Sequence, residues 1–174
     1  MSSGYHCQSC GEWHAELPRA WGVETPLPFL LIPPEERAVR CLWDAETCEI
    51  DGREFYVRGC LEIPVRDGSE PFSWGVWVSL SERSYQRTRE LWTTPGREQE
   101  PPFFGWLCTA LPLYPSTLSL KTLVHTRPVG KRPFVELEAT DHPLAIEQRE
   151  GITEARLQEI AGALLHGPSP GCEI

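Results

Sequence analysis

No run of lysine or arginine occurs in the 174 residues, and 25 acids against 16 bases give a formal net charge of −9. A chain of that sign repels phosphate backbones unless a local basic patch overrides the net field, so nucleic acid is not an expected partner. A basic protein partner or a small molecule stays open. Long apolar runs are missing as well. Near the N-terminus no charged segment leads into an apolar stretch, and the longest purely aliphatic or aromatic run there is Phe29–Ile32. A membrane helix needs roughly 20 such residues, so the expectation is a soluble, cytoplasmic protein without a membrane partner. Internal repeats, low-complexity tracts, a nucleophile elbow, a phosphate-binding glycine loop and a paired-histidine metal motif are all lacking. Without them the sequence displays no recognisable reaction.

A chain of 174 residues suits one domain, here 1–174, and can bury roughly 70% of its unfolded surface. A stabilising metal or disulfide is therefore optional. The seven cysteines are odd in number and irregularly spaced, which reads as reduced thiols rather than a disulfide framework.

One cysteine pair does carry a signal. Cys7-Gln8-Ser9-Cys10-Gly11 lets a tight turn point both sulfurs at one ion, and His14 follows closely to make a Cys-x2-Cys-x3-His set. The two cysteines supply half of a tetrahedral zinc site, on a knuckle-like piece spanning 1–16, and His14 is the nearest further ligand. No second Cys-x-x-Cys exists, so the fourth ligand must come singly, from Cys48, Cys41, Cys60 or His6. Such a site is structural, because hydrolytic zinc usually takes histidines and carboxylates and keeps a position open.

The stretch from Cys48 to Ser81 has the clearest hairpin pattern. Asp51-Gly52 between extended segments favours a type I′ turn, which needs positive φ at both central positions. With those two as the whole loop, Cys48 pairs with Phe55 and shares its core face. Phe55, Val57, Leu61 and Ile63 alternate with Tyr56, Arg58, Cys60 and Glu62; Phe72, Trp74, Val76 and Val78 alternate with Ser73, Gly75 and Trp77. The first set of each strand is a core face. The opposite face, with Arg58, Glu62 and Trp77, reads as mixed and wet.

Elsewhere, the Pro-rich stretch 17–34 suggests an extended wrap that buries Phe29–Ile32, and Pro34 followed by two acids starts a short helix to about Arg40. Ser81 caps a mid-chain helix running to about Trp92, with Leu80 and Tyr85 as its hydrophobic staple. Strands follow at Phe103–Leu111, Leu118–Arg127 and Pro133–Ala139. Asp141 is the expected cap of a helix ending by Gly151, and Thr153 caps a last helix stopped by Gly167. The tail 167–174 is expected to fray. These elements predict an α+β fold: a predominantly antiparallel β-sheet with hairpins, one mid-chain helix, two C-terminal helices and the N-terminal knuckle.

The combination of Cys7–Gly11 with His14, Glu54–Gly59 leading to Leu61–Val65, Trp74–Ser81, Gly105–Leu107, Arg132–Leu137 and Asp141–Ala145 resembles the bacterial proteins grouped as domain of unknown function 2199. The resemblance spans most of the chain. It implies a bacterial cytoplasmic protein and carries no activity or substrate with it. Cys48 also matches that family's pattern, which moves it ahead of Cys41 as the fourth ligand.

Two further groupings invite a functional reading. Arg58, Glu62 and Trp77, with Cys60, His125 and Arg127, would form an Arg and aromatic cradle for an anionic or planar ligand if the sheet gathers them. The plainer expectation is an Arg58 to Glu62 ion pair on a wet face. Asp141-His142-Pro143 resembles an acid/base pair, although a capping Asp and a first-turn Pro account for most of it. The sequence therefore favours a zinc-stabilised, non-enzymatic binding module over a small-molecule enzyme or sensor.

Overall fold

The computed structural model describes residues 4–67 and 70–167, arranged as ten strands and five α-helices. In chain order these are β1 (Tyr5–His6), β2 (Trp13–His14), β3 (Ala20–Gly22), α1 (Leu27–Leu30), α2 (Pro34–Arg40), β4 (Cys41–Trp43), β5 (Thr47–Ile50), β6 (Glu54–Ile63) and β7 (Phe72–Leu80). Then come α3 (Glu82–Glu90), a 3-10 turn at Arg97–Gln99, β8 (Phe103–Leu107), β9 (Lys121–His125), β10 (Phe134–Leu137), α4 (Pro143–Glu150) and α5 (Glu154–His166). The tail expected to fray lies, beyond Gly167, outside the described residues. No helix among the described residues is long and apolar enough to cross a membrane.

The alternating stretch becomes a long hairpin. β6 and β7 pair antiparallel from Phe55 opposite Leu80 to Ile63 opposite Phe72. Each strand then uses its far edge twice. β6 takes β5 along its first residues and β10 at Cys60, whereas β7 takes β3 near Trp74 and β8 near Ser79. Since β8, β9 and β10 follow antiparallel, the ring β6-β7-β8-β9-β10 closes on itself as a barrel. Side-chain alternation fixes faces but not partner order, so the sequence predicts a plain sheet and does not announce the closure or its two parallel joints. Gly59 makes the β6 to β10 joint feasible. A Cβ there would lie 2.5 Å from Val135 and 3.1 Å from the Pro133 carbonyl oxygen, to which the Cys60 amide donates at 2.8 Å.

Inside the barrel the predicted core face holds. Phe55, Leu61, Ile63, Phe72, Trp74 and Val76 pack with Tyr85 of α3, Leu144 of α4, and Leu157 and Ile160 of α5. The other face departs from expectation. Trp77 is fully buried with Phe29, Ile32, Cys41, Cys48, Ile50 and Tyr56 in a second cluster, and its indole Nε1 donates to the Val23 carbonyl at 3.1 Å. The Pro-rich stretch wraps the outside of the β5-β6-β7 corner and covers Trp77, but it is not wholly extended, since α1 forms within it, and of Phe29–Ile32 only Phe29 and Ile32 are buried while Leu30 and Leu31 are exposed.

Register explains where Cys48 goes. Asp51 and Gly52 both have positive φ, and Arg53 N donates to Ile50 O at 3.0 Å, as a type I′ turn requires. Ile50 nevertheless pairs with Glu54, leaving Arg53 as an extra residue, so Cys48 stands opposite Tyr56 and not Phe55. A one-residue slip exchanges faces, and Cys48 joins the outer cluster.

The helix caps follow their local chemistry. Ser81 Oγ accepts from Ser84 N at 3.2 Å and Thr153 Oγ1 from Arg156 N at 3.1 Å. On α4 the cap is His142, not Asp141: its Nδ1 accepts from Leu144 N at 3.2 Å. Pro143 occupies the first helical position, which puts the cap at the residue just before it.

Candidate metal centre

β1 and β2 form a small hairpin whose loop folds over Cys7: the Cys7 amide donates to Glu12 O at 2.9 Å and the Gly11 amide to Cys7 O at 2.8 Å. That turn brings Cys7, Cys10 and His14 together, and His166 arrives from the last turn of α5. The four candidate ligand atoms all lie within 4.8 Å of one another. Tetrahedral zinc with Zn–S near 2.3 Å and Zn–N near 2.0 Å requires ligand separations of roughly 3.3–3.8 Å, and Cys10 Sγ already stands 3.4 Å from His14 Nε2. Small side-chain movements suffice to close the set around an ion.

Two other features seat the knuckle. His14 stacks on Tyr5 with ring centroids 5.4 Å apart and lies 5.5 Å from the His166 ring. On α5, a Cβ at Gly162 would come within 2.8 Å of Ser9 Oγ and 3.8 Å of Cys7 Sγ, so the absent side chain lets the helix press directly on the Cys-x-x-Cys loop. Burial of Cys7 opposes ionisation of its thiol, but hydrogen bonds from the backbone and side chains of Cys10 and Ser9 together outweigh it and hold its pKa below the ordinary thiol value. Thiolate is the form that ligates a metal. The family profile described as an uncharacterized protein conserved in bacteria (DUF2199) matches residues 6–152. The chain belongs to that family. No curated protein and no solved structure matches it.

In this DUF2199 chain the fourth member of the Cys/His cluster that could hold a metal ion is His166 and not Cys48. Cys48 is completely buried in the outer cluster, where desolvation first of all, then the nearby Cys41 and acids, pushes its thiol up to about 12. Cys41 is buried beside it, Cys60 faces a different cleft, and His6 is exposed against the edge of Trp13. The knuckle and His166 meet only because α5 packs against it, and no local pattern reports such a contact. The one usable signal was a histidine in the last turn of a predicted helix, immediately before its Gly167 stop.

The second candidate grouping is not assembled. Glu62 accepts from Arg127 Nη1 at 2.7 Å instead of pairing with Arg58. Arg58 reaches the Ala45 carbonyl at 3.4 Å, its Nε is buried without a hydrogen-bond partner among the described residues, and burial, followed by the charge of Arg132, lowers its pKa. His125 contacts Glu136 at 2.7 Å, and Trp77 is core. Arg58 and Glu62, four residues apart along β6, line separate depressions. The Asp141-His142 pair is spent on helix capping by His142.

Proposed function

We propose that this chain is a non-enzymatic binding module whose N-terminal hairpin is fastened to α5 by one zinc ion held by Cys7, Cys10, His14 and His166. The observation that carries the reading is the convergence of four donor atoms within 4.8 Å from two stretches of chain far apart in sequence. Two thiolates with two imidazoles suit zinc, a borderline-soft ion, and four protein ligands leave no coordination position for substrate or water. Such a closed set holds structure together. Its reduced thiols fit a reducing compartment, the cytoplasm, since all six cysteines among the described residues are free. The net charge of −9 suits a basic protein partner.

Elemental analysis of untagged purified protein tests the metal. One zinc per chain is expected, and a Cys7→Ser, Cys10→Ser variant is expected to lose it together with several degrees of Tm. Unchanged metal content in that variant would falsify the site. The partner is tested with a labelled Lys-rich peptide, which should bind at low salt and dissociate at high salt.

A further inference from the structure

Beyond that reading, and independently of the metal, we propose that the cleft between the β9–β10 loop and the segment after α3 binds a small planar organic anion through its carboxylate or phosphate. The cleft has a volume of about 750 Å³, within the range of small-molecule sites. Arg127, Lys131 and Arg132 line it from the loop, with Trp92, Cys60 and Glu46.

The loop is held in shape from beneath. Arg97 is buried to 6% exposure and spends its guanidinium on main-chain oxygens: Nε donates to Arg127 O at 2.7 Å, Nη1 to Trp92 O at 2.8 Å, and Nη2 to Lys131 O at 2.9 Å and Pro128 O at 3.3 Å. A loop tied at four carbonyls presents its side chains in a fixed arrangement, which lowers the entropic cost of binding.

The charges do not balance locally. Arg132 is matched by a two-pronged pair with Glu46, at 2.8 and 2.7 Å, and Arg127 by Glu62 at 2.7 Å. Arg97 and Lys131 have no ion-pair partner among the described residues, so the cleft keeps two surplus cations in a chain of net charge −9. Among the described residues, Nη2 of Arg127 and Nη1 of Arg132 donate to no partner, and both are positioned by the bonds the other nitrogens of each guanidinium make. Fixed guanidinium donors with an uncompensated field recognise carboxylate or phosphate. Trp92, half-buried with the Arg97 guanidinium 5.4 Å from its ring centroid, supplies a flat apolar surface beside them, which favours a ligand with a planar ring.

Calorimetric titration of the purified full chain tests this with AMP, benzoate, adenosine and inorganic phosphate. AMP or benzoate is expected to bind one-to-one with Kd below about 1 mM. Adenosine lacks the charge and phosphate lacks the ring, so each should bind at least about tenfold more weakly than AMP. Lys131→Ala, at an exposed side chain without an ion pair, preserves the fold and should weaken binding by about tenfold, and Trp92→Leu should weaken AMP but not phosphate. The absence of saturable binding by both AMP and benzoate, or binding unchanged in Lys131→Ala, overturns the proposal. Neither outcome bears on the metal, which is measured separately.

Discussion

Inside the barrel Leu61, Phe72, Trp74 and Val76 are completely buried, whereas in the N-terminal hairpin only Tyr5 and Cys7 are buried and Trp13 remains 59% exposed. The barrel side chains form one continuous buried cluster, and each Å² of apolar surface so removed from water contributes roughly 25 cal/mol. A hairpin of two-residue strands has no such reserve and is marginal by itself. Its order depends on what it touches: α5 at Gly162 and the Cys/His ligand group. The barrel's stability is thus spread over many contacts, and on the zinc reading proposed above the hairpin's is concentrated at a point.

The sharpest contrast comes from the barrel. Trp74→Ala removes a fully buried indole and is expected to cost about 3–5 kcal/mol, measured by chemical denaturation. The double variant Cys7→Ser, Cys10→Ser should act locally instead. Hydrogen exchange is expected to lose protection at residues 5–14 and the end of α5 while barrel amides keep theirs; equal loss in both regions would collapse the distinction between them. Gly162→Ala separates helix strength from knuckle seating. Alanine favours a helix interior by about 1 kcal/mol, yet its Cβ meets Ser9, so metal affinity should fall by about tenfold while helix content is retained. The smallest effect is expected from Thr153→Ala, which removes the α5 cap and should lower stability by about 1 kcal/mol with metal content unchanged.

Local chemistry made much of the fold legible. Ser81, Thr153, Pro34 and the Asp51-Gly52 turn act within a few residues of themselves, and each does what its neighbours dictate. Alternation along β6 and β7 likewise marked the inner face correctly. What stayed hidden depends on contacts distant in sequence. Trp77 reads as solvent-facing until residues 23–32 fold over it, and Cys48 changes faces because a single extra residue, Arg53, enters the ladder. For the site, Cys7, Cys10 and His14 were legible from spacing, because one turn brings them together. His166 was not, since its position is set by the packing of α5. The Arg97 clamp was equally invisible: a single arginine between the mid-chain helix and the next strand gives no sign that it will be buried against four carbonyls.

The closure of the barrel at Phe134 opposite Cys60 has a kinetic consequence. The β6–β7 hairpin forms from neighbouring segments and can appear within microseconds, but the edge of β6 beyond Gly59 finds its partner only after β8, β9 and β10 have been laid down in order. Until then a strand rich in aromatic and branched residues presents unpaired amides and carbonyls to any other chain nearby. During synthesis that interval lasts as long as the ribosome takes to reach β10, several seconds at about 5–20 residues per second. Ring closure is therefore the step expected to limit the folding rate, and the open edge of β6 is where crowded expression would divert the nascent chain into aggregates.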